Sequence, residues 1–597
     1  MKNTSVIYIA IALAGSILNS QKVAAQVTYY HRDHILSVQD IAIKTDMLGA
    51  FPIVTGSGLL TNPVTKKVID VVRYSQNGSS AQTSNTFSSH YELKQGAVTL
   101  DPLPVGVSAP GATSATPTQV IVVAGGYLTS SGLFVLTLNG DGSVRSAKEV
   151  IPAISNATVF KVTAVGSEPM TINGVFRSDH VFIAGTVTTN SIIPKSGQSS
   201  FVLSMNTVTN TINWFRVYNL DSFSDAVTEV EEPASIAINS NTVFIAGNAT
   251  ASASANQAGR GFVFTIDPAN GNITGQPFMI DFERTTRIKA ISRTNVGSPE
   301  LPMHLAGETS DIVINDGDTR DAWAATIKTT IPAVEWCKQY DYSAGGDNVA
   351  GDCDNSGGRL YLAGTASNGT VNGTDMVALR LDPADGTVEF EATYGKAGND
   401  IAAGIEQHFA NGGFWLAGSN QNQSQPGRFS IVSAYHNGAS GCNESVSTTV
   451  PVNLAATVVP TTAVMMQPSA STFALSVVRT NAGVPVTDCF NTSLPDGDNS
   501  HRPYAEPDVV QEDAAAGVNL YPNPVSTSGV LHIDYIAAGT IPPQVEIYDA
   551  AGRKIVNRAE STPGGGFLMQ PGELAPGAYL VLIREGDRTI QQKLLVY

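Results

Sequence analysis

Three mostly apolar residues followed by Ala-Gly recur along this chain. The phrase reads Val181-Phe182-Ile183-Ala184-Gly185, Val243-Phe244-Ile245-Ala246-Gly247 and Met303-His304-Leu305-Ala306-Gly307. It returns as Leu360-Tyr361-Leu362-Ala363-Gly364 and Phe414-Trp415-Leu416-Ala417-Gly418. An earlier copy is Ile121-Val122-Val123-Ala124-Gly125, and Pro52-Ile53-Val54-Thr55-Gly56 is a degraded one. From Gly56 to Gly418 the successive phrase glycines lie 54 to 69 residues apart. Self-similarity at such a period is the signature of a repeat architecture.

One unit serves as a template. Arg359 to Ala363 is an apolar strand ending on Gly364, and Met376 to Leu381 alternates with Val377, Leu379 and Leu381 on one face. Asp382-Pro383-Ala384-Asp385-Gly386 is a turn in which Pro presets φ and Gly accepts φ > 0. Strands over Val388 to Tyr394 and Ile401 to His408 come next, separated by the polar stretch Gly395 to Asp400. A lone four-stranded sheet has two faces to bury and cannot do so unaided. Sheets stacked radially cover one another and leave only short, protected edges. The expected fold is therefore all-β: a β-propeller of seven four-stranded blades, with six or eight also compatible. The Ala-Gly phrase is expected on the crowded inner strand, where small residues let backbones approach. A row of separate β-sandwiches needs domains nearer ~100 residues, and the period is too short for it. The opening strand, Ile35 to Ile43, starts in mid-unit, so ring closure is expected through pairing of the first strands with a late one.

Composition fits. The 597 residues are 42% hydrophobic and 14% charged, with 55 Gly and 31 Pro, which favours many short strands and turns. Net charge is −17. Removing residues 1–25, which carry Lys2 and Lys22 and no acid, makes it −19. Such a polyanion is repelled by phosphate backbones, which argues against a nucleic-acid partner. Residues 1–25 have the form of a signal peptide: Lys2, an apolar stretch from Val6 to Leu18, and small residues before a cleavage point between Ala25 and Gln26. The apolar run is too short for a stable membrane span, so no transmembrane helix is expected. The four cysteines are even in number, as expected in an oxidising compartment. Short loops close at lower entropic cost, so Cys337–Cys353 and Cys442–Cys489 are the preferred pairs.

The unit, with its stretch Tyr394-Gly395-Lys396-Ala397-Gly398-Asn399-Asp400, resembles the bacterial seven-bladed propeller repeats of exported proteins. The resemblance assigns residues 26–440 to propeller repeats and implies a fold without a chemistry. Residues 441–490 break the period and read as an extended β appendage bounded by Cys442 and Cys489, able to complete the last blade. Residues 491–517 are polar and acidic and read as a linker. Residues 518–597 read as a compact β-sandwich of about seven strands, immunoglobulin-like in plan. They carry Tyr521-Pro522-Asn523-Pro524, then Ile547-Tyr548-Asp549 with Gly552, then Gly577-Ala578-Tyr579, and finally Lys593-Leu594-Leu595-Val596-Tyr597. In that order these motifs resemble the type A C-terminal sorting domain of the type IX secretion system of Gram-negative bacteria. The resemblance implies export through the periplasm and across the outer membrane, with the secretion machinery as partner and the cargo anchored at the surface or released.

Chemical motifs are sparse. The histidines are scattered, and His31 and His34 fall on opposite faces of a strand. His304, inside a phrase, is expected as a hydrogen-bonded core residue. Asp316, Asp318 and Asp321 offer hard oxygen ligands for calcium, but a solvated turn accounts for them more readily. Glu229, Glu231 and Glu232 cluster as paired glycosidase carboxylates would, though sequence spacing cannot place them across a bond. Phe182, Phe244, Tyr361 and Trp415 share one repeat position and are expected to pack between blades. Without a nucleophile elbow or an activated cysteine, no catalytic or metal residue is assigned. The expected role is a secreted or surface binding and adhesion module for a glycan or protein. The alternative is a polysaccharide-active hydrolase or lyase at the channel, which converging carboxylates and a histidine there would favour.

Overall fold

The computed structural model describes strands and turns within residues 29–491, and strands alone within 518–596. No helix occurs among the described residues. Two compact units divide the chain, residues 1–503 and 504–597.

In the first unit the described strands form seven antiparallel arrays, counted as sheets 1 to 7 along the chain, of which 3 and 4 are joined into one ten-stranded sheet by a short parallel pairing of Gly197 and Gln198 with Glu229 and Val230. Sheet 6 is representative: Asn348–Asp354, Leu360–Ser367, Thr374–Leu381 and Val388–Tyr394 pair in sequence order. The phrase therefore lies on the second strand. The first strand of each sheet is the segment that the sequence template had placed last in the preceding unit. In sheet 7 the order Asn399–Gln407, Phe414–Gln421, Arg428–Ala434 is completed by the N-terminal strand Tyr29–His34, which pairs antiparallel with Arg428–Ala434.

The register explains the Ala-Gly pair. In all seven sheets the first strand carries a β-bulge opposite the phrase, as between Ile288 and Ala290 against Gly307 and Ala306. The bulged backbone comes close to its partner. A Cβ built at Gly185, Gly307 or Gly418 would overlap the carbonyl oxygen of Lys161, Arg287 or Ile401. Only glycine fits there, and the extra residue bends the first strand and re-aims the residues beyond it.

Each sheet shares one hydrophobic core with the next. Val122 and Ala124 of sheet 2 pack with Ile183, Phe201 and Phe215 of sheet 3, and Ala306 and Ala324 of sheet 5 with Leu362 and Leu379 of sheet 6. The series closes, because Val54 and Val72 of sheet 1 share a core with Trp415 and Ile431 of sheet 7. Phe182, Phe244, Tyr361 and Trp415 are buried in these cores.

A recurrent lock joins neighbours. A fourth strand carries an aromatic residue and, four residues later, a tyrosine: Phe87/Tyr91, Trp214/Tyr218, Trp336/Tyr340, Phe390/Tyr394. Each tyrosine hydroxyl donates to a glycine carbonyl in a turn of the next sheet, Gly142, Gly271, Gly386 or Gly438, at 2.5 to 2.8 Å. Those glycines have φ between 73° and 84°. Net of solvent, such a bond contributes about 1 kcal/mol.

Residues 444–491 supply a fifth strand to all seven sheets, where the sequence reading allowed completion of one. The segment visits sheets 6, 5, 4, 3, 2 and 1 in turn and ends at sheet 7, where Pro485–Asn491 pairs with Tyr29–His34. It advances seven residues per sheet: the N–H groups of Leu454, Thr461, Leu475 and Ala482 donate at 2.9 to 3.0 Å to the carbonyls of Cys337, Pro277, Ala147 and Ser88. Pro468, with no N–H, holds the intervening step. Seven extended residues span about 23 Å.

In the C-terminal unit the described strands form two four-stranded antiparallel sheets. One orders Val518–Tyr521, Leu531–Tyr535, Phe567–Met569 and Glu560–Ser561; the other Lys554–Ile555, Gln544–Asp549, Gly577–Glu585 and Arg588–Val596. Ile547, Tyr579 and Val581 are buried.

Candidate functional site

Beyond their bulges the seven first strands converge on a cavity of ≈ 360 Å³. Its walls come from residues 44–46, 107–109, 165–169, 235–238, 291–293, 352–355 and 406–407. Val, Ile and Ala supply the apolar part. The charged part is Asp46, Glu168, Asp352, Asp354 and Glu406 against Lys44 and Arg293.

Both cations are engaged. Lys44 of sheet 1 pairs with Asp352 of sheet 6, and Arg293 of sheet 5 pairs with Glu168 beyond the first strand of sheet 3. Each pair reaches past an intervening sheet. Carboxylates also tie neighbouring sheets: Asp46 accepts from the Ala109 N–H at 2.7 Å and Asp354 from the Gln407 N–H at 2.9 Å. Ser108 and Ser167 are hydrogen-bonded at 2.7 Å.

Desolvation inside the cavity, with the charges of Asp46 and Asp354 added, pushes Glu168 up to about 7 despite Arg293, although its side chain remains 40% exposed. Burial and the carboxylates of Asp354, Asp46 and Asp352 push Glu406 well above the usual carboxyl range. For Lys44 burial works against the ammonium, but Asp352 and Glu406 outweigh it and raise its pKa. The wall therefore combines carboxyls that hold protons with carboxylates placed to accept.

One side chain on this wall is unsatisfied. Asn355 is fully buried; its N–H donates to Ser292 Oγ at 2.9 Å, while its amide Oδ1 and Nδ2 meet no protein partner. A buried amide left so costs about 1–3 kcal/mol, a cost that a bound molecule or water removes.

Of the sequence-derived candidates, Cys353 lies on this wall; the other described ones lie elsewhere. Cys337 and Cys353 are free and buried, which corrects the expected pair. They sit in different cores, Cys337 among residues of sheets 4 and 5 and Cys353 among those of sheets 5 and 6. Burial pushes the Cys337 thiol up to about 12, so it is a poor nucleophile. Cys442 lies outside the described residues; the backbone of Cys489 pairs with His31, and its side chain lies outside them. Ala25, Gln26, Asp316 and Asp318 are outside as well, and Asp321 accepts from the Gln339 amide. Glu229 and Glu231 face a buried side of sheet 4, where Glu231 accepts the Leu220 N–H at 2.6 Å, and Glu232 pairs with Lys161. His304 is buried, its Nδ1 2.7 Å from Thr326 Oγ1, and burial lowers it to about 4. Among the described residues no group of three or more His, Cys, Asp or Glu is placed to hold a metal ion.

Sequence reasoning missed Asp46, Glu168, Arg293, Asp352, Asp354, Asn355 and Glu406. Counted back from the phrase glycine, Asp46 and Asp354 both stand at ten residues and Asp352 and Glu406 both at twelve, a shared spacing that could have flagged them, whereas Asn355, Arg293 and Glu168 stand at nine, fourteen and seventeen. Sheet 3 even inserts a hairpin, Met170–Ile172 with Val175–Arg177.

In the C-terminal unit Tyr521 pairs with His532, Tyr548 with Leu580, Gly577 with Val596 and Lys593 with Leu580, while Tyr579 is buried. Pro522, Asn523, Pro524 and Gly552 lie outside the described residues. No curated protein matches the chain. Residues 519–597 match the family model described as the secretion system C-terminal sorting domain. No helix among the described residues is long and apolar enough to cross a membrane. Through its C-terminal residues the chain is thus a partner of the type IX secretion machinery, and the protein is secreted and localised to the cell surface.

Proposed function

We propose that residues 29–491 form a seven-bladed β-propeller, belted by residues 444–491, that works outside the cell as a binding module with its ligand in the central cavity. The carrying observation is the convergence of seven first strands on one cavity whose wall includes a buried, unpartnered Asn355 amide. Concave sites with a few convergent polar groups are where small ligands bind. In this reading residues 1–25 direct passage across the inner membrane, and residues 518–597 form an immunoglobulin-like sandwich that directs passage across the outer one. A glycan array probed with the wild type and Asn355→Leu tests the site: binding retained by a folded Asn355→Leu variant refutes it.

A second reading has a specific support. Glu168, held near 7 beside Asp46 and Asp354, is placed to give a proton in a polysaccharide-active hydrolase. Among the described residues no histidine lines the cavity. Release of reducing ends from soluble polysaccharides, lost in Glu168→Gln, would support the enzyme over the binding module.

A further inference from the structure

The cavity wall is specific enough to name a ligand chemistry, given that the cavity is a binding site. Its charged groups are five carboxyls against two cations, and both cations are already paired within the wall. The wall therefore complements a positive charge rather than a negative one. No three of the described acids converge as metal ligands, and among the described residues no aromatic ring lines the wall to hold a cation by its face. What remains is a cation that makes directional hydrogen bonds. Asn355 adds a second requirement: its amide offers one acceptor and two donors, which hydroxyl groups satisfy together.

We propose that the cavity binds a small organic cation of the hydroxylated alkylammonium class, and that its entry releases the Glu406 carboxyl proton to solvent. Glu406 faces Asp352 and Asp354 from sheet 6 and Asp46 and Lys44 from sheet 1, with Glu168 and Arg293 on the same wall. Three carboxylates beside it favour the neutral acid in the empty cavity. An ammonium among them reverses that balance: the Glu406 O–H bond breaks, the proton passes to the buffer, and the new carboxylate faces the cation.

The test is isothermal titration calorimetry on the full chain with three matched six-carbon polyols: N-methylglucamine, neutral sorbitol and anionic gluconate. N-methylglucamine keeps its charge between pH 6 and pH 8. The expected result is binding of N-methylglucamine alone, tighter by up to about a hundredfold at pH 8 than at pH 6, the limit for one proton released over two pH units. Heats measured in two buffers of different ionisation enthalpy should report that proton, and Glu406→Gln should abolish its release. Sorbitol binding as tightly as N-methylglucamine, with both lost in Asn355→Leu, would overturn the cationic class and leave the cavity as the site. Binding unchanged in an Asn355→Leu variant with a wild-type thermal transition would overturn the cavity reading itself. No heat from N-methylglucamine at either pH also sinks the proposal.

Discussion

The two ends of the seven sheets meet the same problem in opposite ways. Each sheet has a first strand and an outermost strand whose backbone needs cover, since an open edge invites pairing with other chains. At the outer end one continuous segment, residues 444–491, supplies a fifth strand to every sheet. Among its described residues the side chains are mostly exposed or half-buried, Val452, Val464 and Phe473 being exposed, while Leu454, Thr461 and Leu475 at the seven-residue notches, and Thr449, are buried. At the inner end no strand is added. Bulges bend the first strands, and their polar side chains meet around a cavity. The outer end spends its interactions on stability, whereas the inner end leaves some unmet, which is what a site for a ligand requires.

Removing the outer cover should have the largest effect. Deletion of residues 444–491 from the full chain exposes seven edges and takes from Tyr29–His34 one of its two partners. The expected outcome is loss of a cooperative thermal transition and aggregation, monitored by circular dichroism and size-exclusion chromatography. A wild-type transition would mean that the outer segment is decoration.

Next comes the notch against the exposed face. Leu454→Ala should cost about 2–4 kcal/mol, as for other buried leucines, while Val452→Ala two residues away should stay within about 0.5 kcal/mol. Urea unfolding of both variants gives the difference, and equal values would erase the distinction between notch and face.

At the inner end Gly307→Ala should cost about 2–3 kcal/mol through steric displacement of the bulge. Because the bulge also re-aims Arg293 on the same strand, ligand affinity should fall with it. Unaltered stability would show that the bulge can shift at little cost.

The smallest effect on stability is the most diagnostic of the inner end. Glu168 has a folded pKa near 7, above its ordinary 4.5. The folded state therefore keeps a proton that the unfolded state has lost, and stability falls as pH rises from 4.5 to 7. His304 has the opposite sign. Burial lowers it from 6.5 to about 4, so its contribution is lost as pH falls from 6.5 to 4. Glu168→Gln should remove the first slope and leave the second, measured as unfolding free energy against pH. An unchanged slope would take Glu168 out of this account.

Residue order alone determined the period, the all-β class and the sorting motifs. Each is local: alternation, a Pro-Gly turn or a glycine phrase needs only a few neighbouring residues. The same locality explains why Phe182, Phe244, Tyr361 and Trp415 were read as packing groups. The phase of the repeat, the seven-fold use of residues 444–491 and the free thiols of Cys337 and Cys353 were decided by tertiary structure. So was the cavity, which unites Lys44 with Asp352 and Glu168 with Arg293, residues more than a hundred positions apart. A strand's partner depends on which edge is vacant once the sheets have assembled, and a carboxyl's role on what charges then surround it. Neither is encoded within the span of one strand.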